Sequence, residues 1–165
     1  MPTRKSPVQP ADTESRALAR RLIAAAGHGA LAVLHPDSGV PHVSRIALAP
    51  ARDGHLLAFL SAIALHSRAL VAAPRAGLLV GEPGARGDPL AQPRLSLTVE
   101  AAFVPPDLAR VEELRALWLA RHPKARVYAD LPDFRFVRLR LCEGLLNGGF
   151  GRAYALSAAD LLPPQ

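Results

Sequence analysis

PHVSRIALAPARDGHLLAFLSAIALHSRALVAAP, residues 41–74, is the stretch of sequence from which the fold can be worked out. It opens with a strand-like run over residues 41–49. Ala51-Arg52-Asp53-Gly54 predicts a hairpin turn, because Asp-Gly tolerates the positive φ that tight turns need. A second strand-like run covers residues 55–61. A short helix is predicted over residues 64–73, where Pro74 stops it.

Polar side chains lie where these elements end. They belong to the first strand, to the last residue of the second strand and to the first turns of the helix: Ser44, Arg45, Ser61, His66, Ser67 and Arg68. Hydroxyl groups, guanidinium groups and a helix N-terminus together suit a phosphate or another compact anion. The stretch therefore predicts an anion-binding site.

The composition predicts a single soluble globular domain. The chain has 165 residues, half of them hydrophobic and 21% charged, with a net charge of +6. The positive charge comes from scattered arginines and not from a block of basic residues. It permits the binding of nucleic acid or of a small anionic ligand. Cys142 is the single cysteine, so an intrachain disulfide is excluded.

No run is long enough to span a membrane and residues 1–15 lack the apolar segment of a secretory signal, so we expect a cytoplasmic protein.

The rest of the chain predicts about six strands with helices inserted between them. Residues 1–10 are predicted to be a flexible tail, and residues 11–165 a single domain. Helices are expected over residues 13–26 and from 107 to 121, with a brief terminal helix capped by Ser157. Further strands are expected at residues 30–34, 76–81, 94–104 and 134–146. Because the helices do not alternate regularly with the strands, this order favours an antiparallel barrel with peripheral helices over a parallel sheet.

Several short motifs follow one another along the chain in a recognisable order. They are Gly39–Ser44, Ser61 with His66–Arg68, Pro74–Leu79, Asp88–Leu90 with Arg94–Leu97, His122-Pro123 with Tyr128 and Asp133-Phe134, and Gly149–Ala153. Through their order and spacing across residues 16–162 the chain resembles the FMN-binding split-barrel proteins related to pyridoxamine 5′-phosphate oxidase. Within them it is most similar to the haem-utilisation branch.

This resemblance implies a mainly β fold, a six-stranded antiparallel split barrel with peripheral helices. It also implies a homodimer with FMN bound at the interface. Carried onto this chain, the phosphate would be held by Ser44, Arg45, Ser61, Ser67 and Arg68. Arg94 would lie near the flavin, His66 would touch the flavin or its substrate, and Phe150 and Gly151 would approach the flavin across the interface.

Five of these residues also have an ordinary structural interpretation. Arg45 and Arg68 suit a surface, Ser61 a strand end and Ser67 a helix cap. His66 suits packing under a loop. Cys142 fits a small buried residue better than a nucleophile. The histidines are dispersed and no pair has metal-ligand spacing on a helix, so no metal site is predicted.

Three departures from the family pattern limit the function. Ala69 stands where relatives often carry Asn. The chain ends ALSAADLLPPQ, without the Arg-x-His signature of true pyridoxamine phosphate oxidases, which argues against the vitamin B6 reaction. The histidine tail of some haem-degrading relatives is also missing, since no histidine follows His122.

The leading hypothesis is an FMN-binding flavoprotein, an FMN-dependent oxidoreductase whose small-molecule substrate and catalytic residues the sequence does not identify. The alternative is a non-catalytic module of the same fold that binds flavin or haem for utilisation, sensing or storage. A basic barrel that binds nucleic acid is disfavoured, because the aromatic platform for stacked bases is missing. We expect neither nucleic acid nor a membrane as a partner.

Overall fold

The computed structural model describes residues 7–149 and 151–164. Within these ranges the chain forms nine strands and four α-helices. In chain order they are β1 (Val8–Pro10), α1 (Thr13–Ala25), β2 (His28–Leu34), β3 (Pro41–Ala47), β4 (Ala49–Pro50), β5 (Leu56–Ser61), α2 (Leu65–Ala72), β6 (Arg75–Val80), β7 (Arg94–Phe103), α3 (Leu108–Arg121), β8 (Phe134–Asn147), β9 (Ala153–Ser157) and α4 (Ala158–Leu161).

Six long strands, β2, β3, β5, β6, β7 and β8, form the barrel. They pair antiparallel in the order β3-β2-β6-β7-β8-β5. Within the described residues β3 and β5 approach each other without a shared ladder, and the barrel is split there. The predicted six-stranded antiparallel split barrel is confirmed. The helices lie between strands or at the ends of the chain, as the sequence indicates.

The turns that set the register of the first hairpins are those expected from the sequence. Gly39 and Gly54 both have positive φ, at 69° and 85°. The Gly54 N–H donates to the Ala51 carbonyl at 3.0 Å, which closes the turn between β4 and β5. Left-handed backbone is easy for glycine and strained for other residues, so these two positions fix where the chain reverses.

Two sequence predictions are corrected by the backbone pairing. The flexible tail over residues 1–10 is wrong for residues 8–10, because β1 pairs in parallel with β9, and residues 1–6 lie outside the described residues. The strand predicted over residues 41–49 is interrupted at Leu48. Its N–H donates to the Gly27 carbonyl at 2.9 Å and so leaves the ladder, which makes β4 a separate short strand.

Two apolar clusters hold the fold together. The larger one fills the barrel with branched side chains from all six strands, and α1 and α2 add Ile23 and Leu70. The smaller one lies outside the barrel, where α3 covers β5 and β8 through Trp118, Leu57 and Phe136. Strand β5 is therefore buried on both faces, which explains its nearly continuous apolar sequence, LLAFLS.

His55 is a buried polar residue immediately before β5. Its side chain is 8% exposed, and its Nδ1 accepts the Leu141 backbone N–H at 3.1 Å. Burial lowers the pKa of His55 below its ordinary value of 6.5, although Asp53 nearby opposes the shift. Protonation would remove the acceptor and leave a buried charge, so the folded state binds the proton less readily than the unfolded state.

We therefore expect the protein to lose stability as the pH falls from about 7.5 to about 5.5, through and below the unfolded pKa. The urea midpoint measured at both pH values checks this. His55→Asn keeps an acceptor near the position of Nδ1 and cannot titrate, so its midpoint should fall less. The other five histidines titrate in both proteins. Parallel pH profiles for the two proteins would contradict the role given to His55.

Candidate functional site

Two of the predicted site residues, Ser44 of β3 and His66 of α2, meet at one end of the barrel. Helix α2 follows β5 and packs Leu65, Ala69 and Leu70 against the interior cluster, so it covers that end. Ser44 lies on the same face of β3 as the buried Ile46, because alternate residues of a strand share a face. Its Oγ lies 3.2 Å from Nδ1 of His66 on α2. The hydroxyl and the imidazole thus form a pair between strand and helix.

The imidazole of His66 is held in its neutral form. Burial lowers the pKa of His66, and the nearby His42 lowers it further. At neutral pH the ring is therefore uncharged. Where Ser44 Oγ accepts the proton of Nδ1, the lone pair lies on Nε2, and this is the tautomer in which a histidine binds a metal through Nε2.

Ser67 presents a buried hydroxyl that lacks a partner. The residue is 1% exposed, and its Oγ makes no hydrogen bond among the described residues. It lies in the first turn of α2, where Ala64 precedes the helix without a side-chain cap. A buried polar group without a hydrogen bond costs about 1–3 kcal/mol, so a ligand or water that satisfies it is favoured.

The two arginines of the predicted phosphate site lie apart from this pair. Arg68 follows Ser67 on α2, and its guanidinium contacts Asp37 of the β2–β3 turn at 3.6 Å. Its side chain is 57% exposed, so this ion pair is weak. Arg45 lies on the opposite face of β3 from Ser44 and is exposed. The structure brings Ser44 and His66 together, whereas Ser67 is buried, Arg68 is exposed on α2 and Arg45 lies on the far side of β3.

The remaining predicted residues are engaged elsewhere or stand alone. The Ser61 hydroxyl donates to Asp133 Oδ2 at 2.5 Å, and Arg94 Nη1 donates to the Leu90 carbonyl at 3.0 Å. Gly151 is exposed with a φ of 76°, and an added Cβ there would meet no atom within 4 Å. Phe150 lies outside the described residues. Their proposed contact with a cofactor stays a prediction.

Asp37 and Asp133 take part in these contacts although the sequence did not single them out as ligand residues. Asp37 reaches Arg68 across a turn, and nothing in its local sequence signals that contact. Asp133 belongs to the Asp133-Phe134 motif, and that motif is the sequence signal from which its role could have been identified. His42 could also have been identified from the sequence, because it alternates with Ser44 along one strand and therefore lies on the same face.

An apolar face of the sheet lies opposite the barrel interior. The strand register places Ala32 of β2 between Val43 of β3 and Gly77 of β6 on this face. Leu79 lies on the same face of β6, diagonal to Ala32. Leu34 and Leu145 extend it at its two ends. Its four large apolar side chains are exposed to solvent: Leu34, Val43, Leu79 and Leu145. We call these six residues the open sheet face.

None of the described helices is long and apolar enough to cross a bilayer. Across residues 7–149 and 151–164, no three His, Cys, Asp or Glu side chains converge as metal ligands.

No protein-family model matches the chain. The sequence is 31% identical over 101 residues to non-canonical heme oxygenase HOZ, chloroplastic, from Arabidopsis thaliana. That match covers 61% of this chain and 30% of the plant protein, so the chain spans under a third of the length of this curated relative.

Solved structures resemble the fold over nearly all of the chain. One with 50% sequence identity has a TM-score of 0.85 and covers 94% of this chain and 100% of its own. A heme binding protein from Mycobacterium smegmatis is 29% identical, with a TM-score of 0.78, covering 93% of this chain and 61% of that one. HutZ, the heme storage protein from Vibrio cholerae, is 22% identical, with a TM-score of 0.67 over 86% of this chain and 96% of that one, and at this identity only the fold is comparable.

Proposed function

The chain belongs to the pyridoxamine 5′-phosphate oxidase-related split-barrel family and has haem-binding homologues, and from this premise we propose that it binds haem beside α2. The two named relatives at about 30% identity are described as a heme oxygenase and a heme binding protein. They support haem utilisation, storage or sensing, the alternative drawn from the sequence, better than a flavin oxidoreductase. Because the chain spans only part of either relative, their activities are not carried over.

The observation that carries this proposal is the contact between Ser44 and His66. Histidines that bind metals donate their second ring N–H to a fixed acceptor, which sets the tautomer and orients the ring. Ser44 Oγ, 3.2 Å from His66 Nδ1, is in place to be that acceptor. The lowered pKa of His66 keeps the ring unprotonated, as an iron ligand must be.

Other residues at this end of the barrel fit haem as well. Arg68 is exposed and only weakly paired, so it suits a propionate carboxylate. The Ser67 hydroxyl, buried without a partner among the described residues, suits a second polar contact. Bound haem would supply an iron centre whose reactivity depends on its ligand and on the polarity of the surrounding pocket.

The direct test is a titration of the purified protein with haemin, followed by the Soret absorbance. We expect saturation at one haem per chain and a band typical of histidine-ligated iron. FMN titrated under the same conditions, followed by quenching of its fluorescence, provides the comparison. The proposal would be rejected if haem binding did not saturate. It would also be rejected if the spectrum did not differ from that of haemin in buffer without the protein.

FMN is the second candidate, and the orphaned Ser67 hydroxyl favours it. A buried hydroxyl in the first turn of a helix, next to an arginine, is a typical donor set for a phosphate. On this proposal the protein is an FMN-binding flavoprotein, and FMN binds more tightly than FAD because the donors meet a terminal phosphate.

Arg68→Ala should then weaken FMN binding by about tenfold, corresponding to the loss of about 1.5 kcal/mol from one charge-assisted contact at an exposed position. Fluorescence quenching of FMN measures the change. Arg21→Ala, which removes an exposed arginine from α1, is the matched control and should leave the affinity unchanged. Equal loss in both variants would mean that general positive charge, rather than Arg68, attracts FMN.

We propose in addition that two copies of the chain associate through the open sheet face. An antiparallel sheet with one solvated face normally alternates apolar and polar residues, whereas here the outward positions of β2, β3 and β6 are largely apolar or small. A self-complementary apolar surface suits a two-fold dimer. Arg45 lies on the same face, next to Ala30 in the register, so a ligand at its guanidinium would sit near the partner.

A further inference from the structure

A small cavity lies outside the barrel, beneath α3. Its volume is about 220 Å³. Three rings form its aromatic wall: the centroid of Phe59 lies 5.1 Å from that of Phe134 and 4.5 Å from that of Phe136. Phe59 and Phe134 are only partly buried, so the apolar cluster leaves ring surface open to this cavity.

Aromatic residues are concentrated here although they are rare in the chain. The chain contains one Trp, two Tyr and five Phe. Five of these eight rings contact one another in this cluster: Phe59, Trp118, Tyr128, Phe134 and Phe136. Offset or tilted ring pairs of this kind provide a surface on which a further ring can pack.

Among the residues that the structure describes, the charged side chains that line the cavity are both arginines, Arg115 and Arg135, and no carboxylate lies in the lining. Arg115 donates from Nη1 to the Ala129 carbonyl at 3.0 Å and from Nη2 to Asp130. Asp130 is 82% exposed, so its attraction for the guanidinium is screened by water. Arg115 itself is mostly buried at 29% exposure, and it has N–H donors beyond these two bonds.

We propose that this cavity binds a small aromatic carboxylate. The ring packs against Phe59, Phe134 and Phe136, and the carboxylate takes the place of Asp130 on the guanidinium of Arg115. Planar guanidinium groups bind carboxylates through paired hydrogen bonds, and the water-screened Asp130 competes only weakly for the guanidinium. Two arginines without a lining carboxylate disfavour a cationic ligand, and the volume of the cavity limits the ligand to about one substituted ring.

The fluorescence of Trp118 reports binding, because Trp118 is the single tryptophan and its ring lies 6.0 Å from that of Phe59. The purified full chain is titrated with sodium benzoate and, separately, with benzyl alcohol, which has the same ring without the charge. We expect saturable binding of benzoate with a dissociation constant of about 1 mM or lower, as the size of the ligand allows. Benzyl alcohol should bind at least about tenfold more weakly.

Two variants locate the site. Arg115→Gln should weaken benzoate binding by at least about tenfold and leave benzyl alcohol almost unchanged, since only the charged contact is removed. Arg110→Gln, an exposed arginine on the same helix, is the control and should bind benzoate as the wild type does. Equal affinities of the wild type for benzoate and benzyl alcohol, or no saturable change with benzoate, would overturn the proposal without any variant. Benzoate binding that is unaffected by Arg115→Gln would also overturn it.

Discussion

Replacement of His66 by alanine is expected to weaken haem binding by at least about 100-fold. Loss of a residue that only supports a metal ligand typically costs about 10–100-fold in affinity, so loss of the ligand itself should cost at least the upper end. The Soret band should also lose the features of histidine ligation. Folding should change little, because the His66 ring is only partly buried and, within the described part of the chain, its one side-chain hydrogen bond is to Ser44.

Two further variants separate ligation from packing. Ser44→Ala removes the partner of Nδ1 and should weaken haem binding by about tenfold while the histidine-ligated spectrum remains. His42→Ala removes the neighbouring histidine that contributes to the lowered pKa of His66, and it should leave the affinity at neutral pH nearly unchanged. If His66→Ala keeps both the wild-type affinity and the wild-type spectrum, His66 is not the ligand.

The pH dependence of haem binding follows from the same residue. A proton and the iron compete for the lone pair of His66, so affinity should fall once the pH drops through its lowered pKa. Above that pKa the ring is neutral and affinity should be level. Ser44→Ala should keep this dependence, whereas His66→Ala should lose it.

The barrel could be predicted from the sequence because its signals are local. Asp53-Gly54 and Gly39 mark turns that need positive φ, and the apolar runs between them are the strands. The three-residue pairing of β1 with β9 joins residues at opposite ends of the chain, and no local pattern records it. Departure of Leu48 from the ladder depends likewise on a distant carbonyl, that of Gly27.

The site was predicted less completely, for a physical reason that differs between residues. Ser44 and Arg45 are adjacent in a strand and therefore point to opposite faces, so one groove within a single chain cannot receive both. Ser61 is engaged by Asp133, 72 residues away, and Arg94 by a carbonyl of its own loop. The pairing of Ser44 with His66 spans 22 residues, and it depends on the packing of α2 over the end of the barrel, which no local pattern records.

The open sheet face gives the second large expected effect. Leu79 lies on β6 near the middle of this face and is 43% exposed, with Ala30 and Ser96 as its cross-strand neighbours. In a dimer formed through this face, Leu79→Glu would bury an unpaired carboxylate from each copy. An uncompensated charge in such a position costs about 3–5 kcal/mol, so the dimer dissociation constant should rise by at least about 100-fold. The isolated chain should tolerate the change, because there the new carboxylate meets water.

Sedimentation velocity at several micromolar concentrations measures this effect. We expect the wild type to sediment as a dimer and Leu79→Glu as a monomer with an unchanged circular dichroism spectrum. Val127→Glu makes the same chemical change at a position that is 86% exposed and lies away from the sheet, so it should remain dimeric. A wild type that is monomeric throughout would show that the open sheet face does not join two copies. If Leu79→Glu dimerises as tightly as the wild type, the two copies meet through another surface, and Arg45 then has no reason to lie near a ligand shared between them.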